Sequence, residues 1–230
     1  MRGCRNLFGF ISLIVFGMIF VSVGIGIGVF GSRAANAAAD RAEQLPPMSA
    51  AGIEDSVPGR TVLVEGRISA RNPTRFRDFV AYVREEYRGE DDDGDSEWRE
   101  DERVTPPLLI EVARNVVAIG NDTYRLDTAS QHWQESSTLR WNSFTGEGTK
   151  RYQGFAANDI VMLIGVVAPG QEGQVVHAEF IYGGARADYI TSQRNTAKIL
   201  PWFGLVFAGI GGVILSIGGI KLLRRIVWRY

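Results

Sequence analysis

The sequence predicts a membrane protein in which two transmembrane helices flank a mostly antiparallel β domain, a small barrel or sandwich. Three observations carry this expectation. Two long runs contain no charged residue, the acidic residues are confined to the stretch between them, and that stretch breaks into short alternating apolar segments.

Residues 7–30 form the first run, 24 positions reading LFGFISLIVFGMIFVSVGIGIGVF, and residues 199–220 form the second, 22 positions reading ILPWFGLVFAGIGGVILSIGGI. As helices both exceed a hydrocarbon core of about 30 Å. Pro201 falls near the start of the second, where its missing N–H does least harm. A signal peptide is the competing reading of the first run, because MRGCRN is a basic leader and Ala35-Asn36-Ala37 matches a cleavage site. The run is much longer than the roughly 7–15 apolar residues of such leaders. Cys4 precedes the run, which is not a lipoprotein arrangement.

Charge sets the topology. Every acid lies between Asp40 and Asp188, and the stretch from Arg33 to Lys198 holds 19 basic against 26 acidic residues, a formal −7. Both ends are purely basic. The positive-inside rule then puts residues 1–6 and the tail 221–230 in the cytoplasm and the middle outside it. In the tail KLLRRIVWRY, Arg224 and Arg225 suit anionic lipid and Trp228 suits the interface. The acidic middle argues against nucleic acid as a partner. One cysteine excludes an intrachain disulfide and an all-cysteine zinc site.

Small residues recur at Gly24 and Gly28 and at Gly204, Ala208 and Gly212. That spacing permits close helix packing, either between the two spans or with a second copy of the chain.

Between the spans, residues 31–60 read as a juxtamembrane spacer with a short helix over 34–44, and residues 61–198 as the β-rich extracytoplasmic domain. TVLVEGRISA alternates, with Val62, Val64 and Ile68 on one face, and FVAYVREEYR at 79–88 reads as a second strand. Residues 89–103, GEDDDGDSEWREDER, hold nine acids and read as an exposed connection. Counted from Asp91, the residues Asp93, Asp95 and Glu102 fall at calcium-loop positions, but Ser96 stands where that loop needs glycine. Further strands are expected at 108–113, 115–120, 124–129, 159–170 and 174–184, the last two joined by a Pro-Gly turn. Residues 132–155 read as a polar, aromatic-dotted segment.

No catalytic constellation and no cofactor site emerges. His177 and Glu179 are two apart on one expected strand, which suits acid–base work or a weak metal edge, and a surface pair equally well. His132 lies beside Trp133. Ser136 and Ser137 lack a nucleophile elbow, and GIGIG at 24–28 lies inside an apolar span rather than after a strand. Arg140, Trp141, Phe144, Lys150, Arg151 and Tyr152 interleave aromatic and cationic character, which suits ordinary loop and edge-strand packing or a partner-binding or headgroup-contacting surface, for which Trp98, Trp133 and Trp141 are the recognition candidates. Asn121-Asp122-Thr123 matches a glycosylation acceptor.

The pieces VLVEGRISA, FVAYVREEY, an acidic connection reaching Trp98, PLLIEV, RYQGFAANDIVMLIGVV and EFIYGGARADYITSQRNTAKIL together resemble the membrane-associated GIDE family, whose best-known members are ubiquitin ligases of the mitochondrial outer membrane. The resemblance covers 61–198 and both spans. It implies a shared membrane-adjacent domain with the topology given above. Ligase members carry a RING finger after the second span, whereas no cysteine follows Cys4 here, so the ligase activity does not carry over.

The expected function is a membrane-anchored, non-catalytic binding or scaffold domain for a protein or lipid at the extracytoplasmic surface. Two alternatives stay open, a RING-less component that recruits substrate for another chain's enzyme and a purely structural membrane oligomer.

Overall fold

The computed structural model describes residues 2–171 and 173–227. The chain divides into two units, residues 1–41 with 190–230, and residues 42–189.

The first unit is helical. α1 (Arg2–Ile25) passes through a π-helical turn (Gly26–Gly31) into α2 (Ser32–Gln44), and α4 (Arg186–Val227) supplies the return. The π turn falls where glycine is densest, and Ser32 Oγ donates to the Gly28 carbonyl at 2.6 Å, satisfying an acceptor there. Pro201 sits inside α4, not at its start, because the helix begins at Arg186 and carries the polar residues of 186–198 with it. Two stretches, Ile11–Gln44 and Arg186–Lys221, are long and apolar enough to cross a membrane, and only 17% of the most apolar window of each is buried. Large apolar side chains such as Phe16, Phe30, Trp202 and Leu205 stand exposed around both helices, unlike the one-sided burial of a core helix.

The two helices pair antiparallel through small residues. A side-chain carbon at Gly24 would meet the Gly204 carbonyl at 2.5 Å, and one at Gly17 would meet the Gly211 carbonyl at 2.9 Å. Gly28 lies over Gly204 and Pro201, and Phe20 stacks on Phe207 with ring centroids 6.0 Å apart. Gly24, Gly28, Gly204 and Ala208 thus pack within one chain. Gly212 does not join them, since nothing lies within 4 Å of the position its side chain would take; Gly211 does. A residue's neighbour in sequence is about 100° away around a helix, so the expected spacing found the right face and one wrong member. Beyond the π turn, Arg194 bridges Asp40 at 2.6 Å and Asn36 at 3.1 Å.

The second unit is built on a five-stranded barrel. β1 (Thr61–Ile68), β4 (Leu108–Val112), β5 (Asn115–Ile119), β12 (Gly173–Gly183) and β11 (Ile160–Gly170) pair in that order, and β11 pairs back to β1 to close the ring. Only β5–β12 among these is parallel. Counting barrel strands alone, the order is 1-2-3-5-4, that of an OB-type Greek-key barrel. Alternation explains the filling: Val62 and Val64, Leu108 and Ile110, Val117 and Ile119, Val161 and Leu163 all point inward. α3 (Ala50–Glu54), capped by Ser49, inserts Ile53 into the same core. β6 (Arg125–Asp127) pairs parallel with β12 beyond β5, along the same edge.

Two insertions in the barrel combine into a second sheet. β2 (Phe79–Glu90) and β3 (Ser96–Val104) lie between β1 and β4, while β7 (Gln131–Gln134) and β10 (Lys150–Ala156) lie between β5 and β11. They pair as β3-β2-β10-β7. A small hairpin, β8 (Trp141–Asn142) with β9 (Glu147–Gly148), is carried between β7 and β10.

Three expectations need correction. The acidic run is not wholly a connection: only 91–95 turn, and β3 follows. Its carboxylates are matched by arginines, Arg84 with Asp101 at 3.0 Å and with Glu102 at 2.8 Å, so the strand tolerates its charge. The segment 132–155 is largely strand, its polarity reflecting an exposed sheet. The last strand ends at Gly183, and residues 186–198, expected within the β domain, are the start of α4.

Candidate recognition surface on the second sheet

Register sets the two faces of this sheet. β10 lies between β2 and β7, so Tyr152 stands opposite Arg84 and Trp133, and Gln153 stands opposite Val83 and His132. Side chains alternate, so Tyr152 and Trp133 share one face while Arg151, Gln153, Glu85 and His132 share the other.

On the first face the rings form a small core of their own. Phe76 stacks on Tyr152 at 4.2 Å, Trp133 meets Phe76 edge-on at 5.6 Å, and the Arg77 guanidinium lies 3.9 Å over the Trp133 ring. Burial raises the Tyr82 phenol above its ordinary pKa, and the Glu102 charge adds to the effect. Asp101 holds Arg84 firmly protonated.

On the second face Arg151 lies 4.1 Å over the Trp98 ring and donates to Glu85 at 2.7 Å; Gln153 donates to the same carboxylate oxygen at 3.1 Å. Tyr87 supports Trp98 from the side. Trp141, on the small hairpin, is covered by Arg88 at 4.9 Å. All three tryptophans of the unit therefore carry a guanidinium on one ring face, a contact worth about 0.5–2 kcal/mol each. Such stacking fixes the arginines, and Arg88 is held further by pairing with Glu86 at 2.7 Å. Arg140 stands apart: it is exposed and its backbone N–H donates to the Thr149 hydroxyl.

Three clefts meet at His132. One of about 320 Å³ is lined by Val83, Glu85, Arg103, Leu126, Thr128 and Gln153. One of about 290 Å³ runs along Gln134 and Arg151, and one of about 140 Å³ lies by Arg77 and Trp133. Thr128 has φ +48°, a left-handed conformation that is rare for a β-branched residue. Its carbonyl occupies the space a side chain at Gly183 would need, so glycine at 183 sets the position of this wall.

The remaining expected sites are not gathered here. His177 and Glu179 both lie exposed on β12 with Ala178 buried between them, and Glu179 is the extra residue of a bulge between Ala178 and Phe180. Asp91, Asp93, Asp95 and Glu102 do not converge: Asp91 Oδ1 accepts the N–H groups of Asp93 and Asp95, Glu102 faces Arg84, and among the described residues no three acids, histidines or cysteines are placed to hold a metal. Asn121 spends its side-chain amide on both backbone groups of Ala178, at 2.9 Å and 2.8 Å, which makes it a strand-pinning residue and a poor glycan acceptor. Arg224 is exposed; the Arg225 side chain and Trp228 lie outside the described residues.

Sequence reasoning missed Arg77, Arg88 and Glu86. Arg77 and Arg88 act through ring contacts with tryptophans distant in sequence, and Glu86 through its pairing with Arg88 and the Gly148 N–H, which no local pattern displays. No family model, curated protein or solved structure matches this chain.

Proposed function

We propose that this chain is a membrane-anchored, non-catalytic binding module whose β unit recognises a partner at the extracytoplasmic membrane surface. One observation carries it: the second sheet bears the arginine-covered Trp133 beside clefts that share His132, and Arg151, which covers Trp98, lines one of those clefts. Pre-positioned aromatic and guanidinium groups are the side chains that dominate recognition hot spots. The exposed apolar surface of α1 and α4 supports crossing a membrane, and the basic outer flanks support cytoplasmic termini. Ala35-Asn36-Ala37 lies inside α2 with Asn36 bound to Arg194, which favours a retained anchor over a cleaved leader. The GIDE resemblance belongs to the same proposal and adds only the expectation of a membrane-adjacent domain.

Two measurements test it. Protease protection of a tag at Gly94, in intact cells and in inverted vesicles, reads the side; digestion from the cytoplasmic side alone would overturn the orientation. Proximity labelling by the full chain, compared with Trp98→Ala and Arg151→Gln, reads recognition. A binding module loses specific neighbours in the variants, whereas an unchanged set of neighbours would sink the reading. Self-association is a second reading, favoured by the open sides of Gly209, Gly212 and Gly219 on α4. It predicts an oligomer that survives both sheet variants and dissociates in Gly212→Leu.

A further inference from the structure

Phe144 is 99% exposed at the tip of the β8–β9 hairpin, while the next most exposed large apolar residue described in this unit, Val57, is 74% exposed. The ring contributes nothing to the unit's own burial, yet the turn that presents it is firmly built. Asn142 Oδ1 accepts the Phe144 N–H at 3.0 Å, the Gly146 N–H returns to the Asn142 carbonyl at 2.9 Å, and Gly146 adopts φ +71°. Beneath it, the Glu86 side chain is 5% exposed and pairs with Arg88 at 2.7 Å. Glu86 also accepts the Gly148 N–H at 2.9 Å, and Arg88 donates to the Gly146 carbonyl at 2.8 Å. A carboxylate taken out of water is costly unless paired in this way. The pair therefore clamps the hairpin onto β2, and an aromatic held in place loses little freedom when it docks.

The surroundings define what it can dock against. Thr149 bonds Tyr87 and Gly146 bonds Arg88, so the hairpin runs along β2 toward the β2–β3 turn, and both turns leave the sheet at the same end. That neighbouring turn is Asp91-Asp92-Asp93-Gly94-Asp95, with Glu90 before it and Glu147 on the hairpin itself. A lone aromatic beside a dense negative field is repelled by anionic lipid and steered toward a cationic protein surface.

We propose that the Phe144 tip and the acidic turn beside it form a docking surface for a basic protein partner that seats the ring in an apolar socket. This rests on the binding-module reading and names the chemistry of a partner for it.

The test places photoreactive p-benzoylphenylalanine at Phe144 in the full chain in its native membrane, with the same substitution at Val57 as control. The expected result is one discrete protein adduct at 144, absent at 57. Its yield should fall about fivefold or more in 0.5 M salt and in Asp92→Asn/Asp93→Asn, as expected for a charge-steered contact. Unchanged thermal unfolding of that double variant shows that the loss is not misfolding. Adducts only to lipid, no adduct above the Val57 control, or a protein adduct indifferent to salt and to the asparagines would each overturn the proposal. If Trp98→Ala removes neighbours while position 144 cross-links nothing, this proposal fails and the binding-module reading stands.

Discussion

A single methyl group at Gly24 probes the helix pairing directly. Its carbon would sit 2.5 Å from the Gly204 carbonyl oxygen and 2.7 Å from the Ala208 nitrogen, both backbone atoms, where ordinary contact begins near 3.4 Å. Backbone cannot swing aside, so the helices must separate locally by about 0.9 Å, a gap that forfeits a quarter to a half of the dispersion attraction at each facing contact. Overpacking of this kind costs about 1–3 kcal/mol, and the better helix propensity of alanine offsets about 1 kcal/mol of it. Gly24→Ala should therefore destabilise the pair by up to about 2 kcal/mol, and Gly24→Leu by more. Gly212→Ala, facing open space, should be neutral or slightly stabilising. Gly24→Ala with Gly204→Ala should cost less than the sum of the two, because one separation relieves both collisions. The assay is an SDS titration of the full chain in mixed micelles, followed by energy transfer between labels on cysteines introduced at Ile11 and Ile220 in a Cys4→Ser background. Equal losses for Gly24→Ala and Gly212→Ala, or strict additivity of the double variant, would refute this account of the packing.

Other outcomes follow from the β unit. Asn121→Ala leaves both backbone groups of Ala178 without their partner and should lower stability by about 2–3 kcal/mol in denaturant titration, while the native chain shows no glycan mass at this position. Burial raises the Tyr124 phenol, whose hydroxyl donates to the Pro106 carbonyl at 2.7 Å. The folded state then keeps this proton where the unfolded chain releases it, so the contribution is full below about pH 10 and is lost as pH rises beyond it. Melting measured from pH 8 to pH 11 should show a fall that Tyr124→Phe reduces, from a lower starting stability. Gly183→Ala drives a methyl group into the Thr128 carbonyl and should cost about 1–3 kcal/mol by overpacking; an unchanged melting point would mean that the wall yields freely. Calcium at millimolar concentration should move the melting point by less than about 1 °C, since the carboxylates of the acidic run do not converge; a clear rise would show a site that assembles around the ion.

Much of the architecture was readable because it rests on local periodicity. Val62, Val64 and Ile68 alternate in sequence and point into the barrel, and the apolar runs at 7–30 and 199–220 lie within helices, which also continue through the charged residues flanking them. β3 was hidden for a physical reason: its support comes from Arg84 and from Tyr87 on β2, across a turn, and composition alone gave only its acidity. The tryptophans could be named from sequence, but their covering arginines could not. Arg151 meets Trp98 across strands brought together only by the fold, and Arg88 meets Trp141 through a hairpin that residues 132–155 gave no reason to expect.

The second sheet takes β2 and β3 from one insertion and β7 and β10 from another, and that divided origin governs how the chain can be made. Glu85 waits for Arg151, 66 positions later. Until residues near 156 have left the ribosome, β2 presents one unpaired edge with Val80, Ala81 and Tyr82 uncovered, while its other edge is already shielded by the charges of β3. Long-range pairing of this kind is slow, and an open strand edge is a template for misassociation. Neither insertion can be trimmed alone, since removing the later one would leave the earlier hairpin permanently in its half-made, adhesive condition.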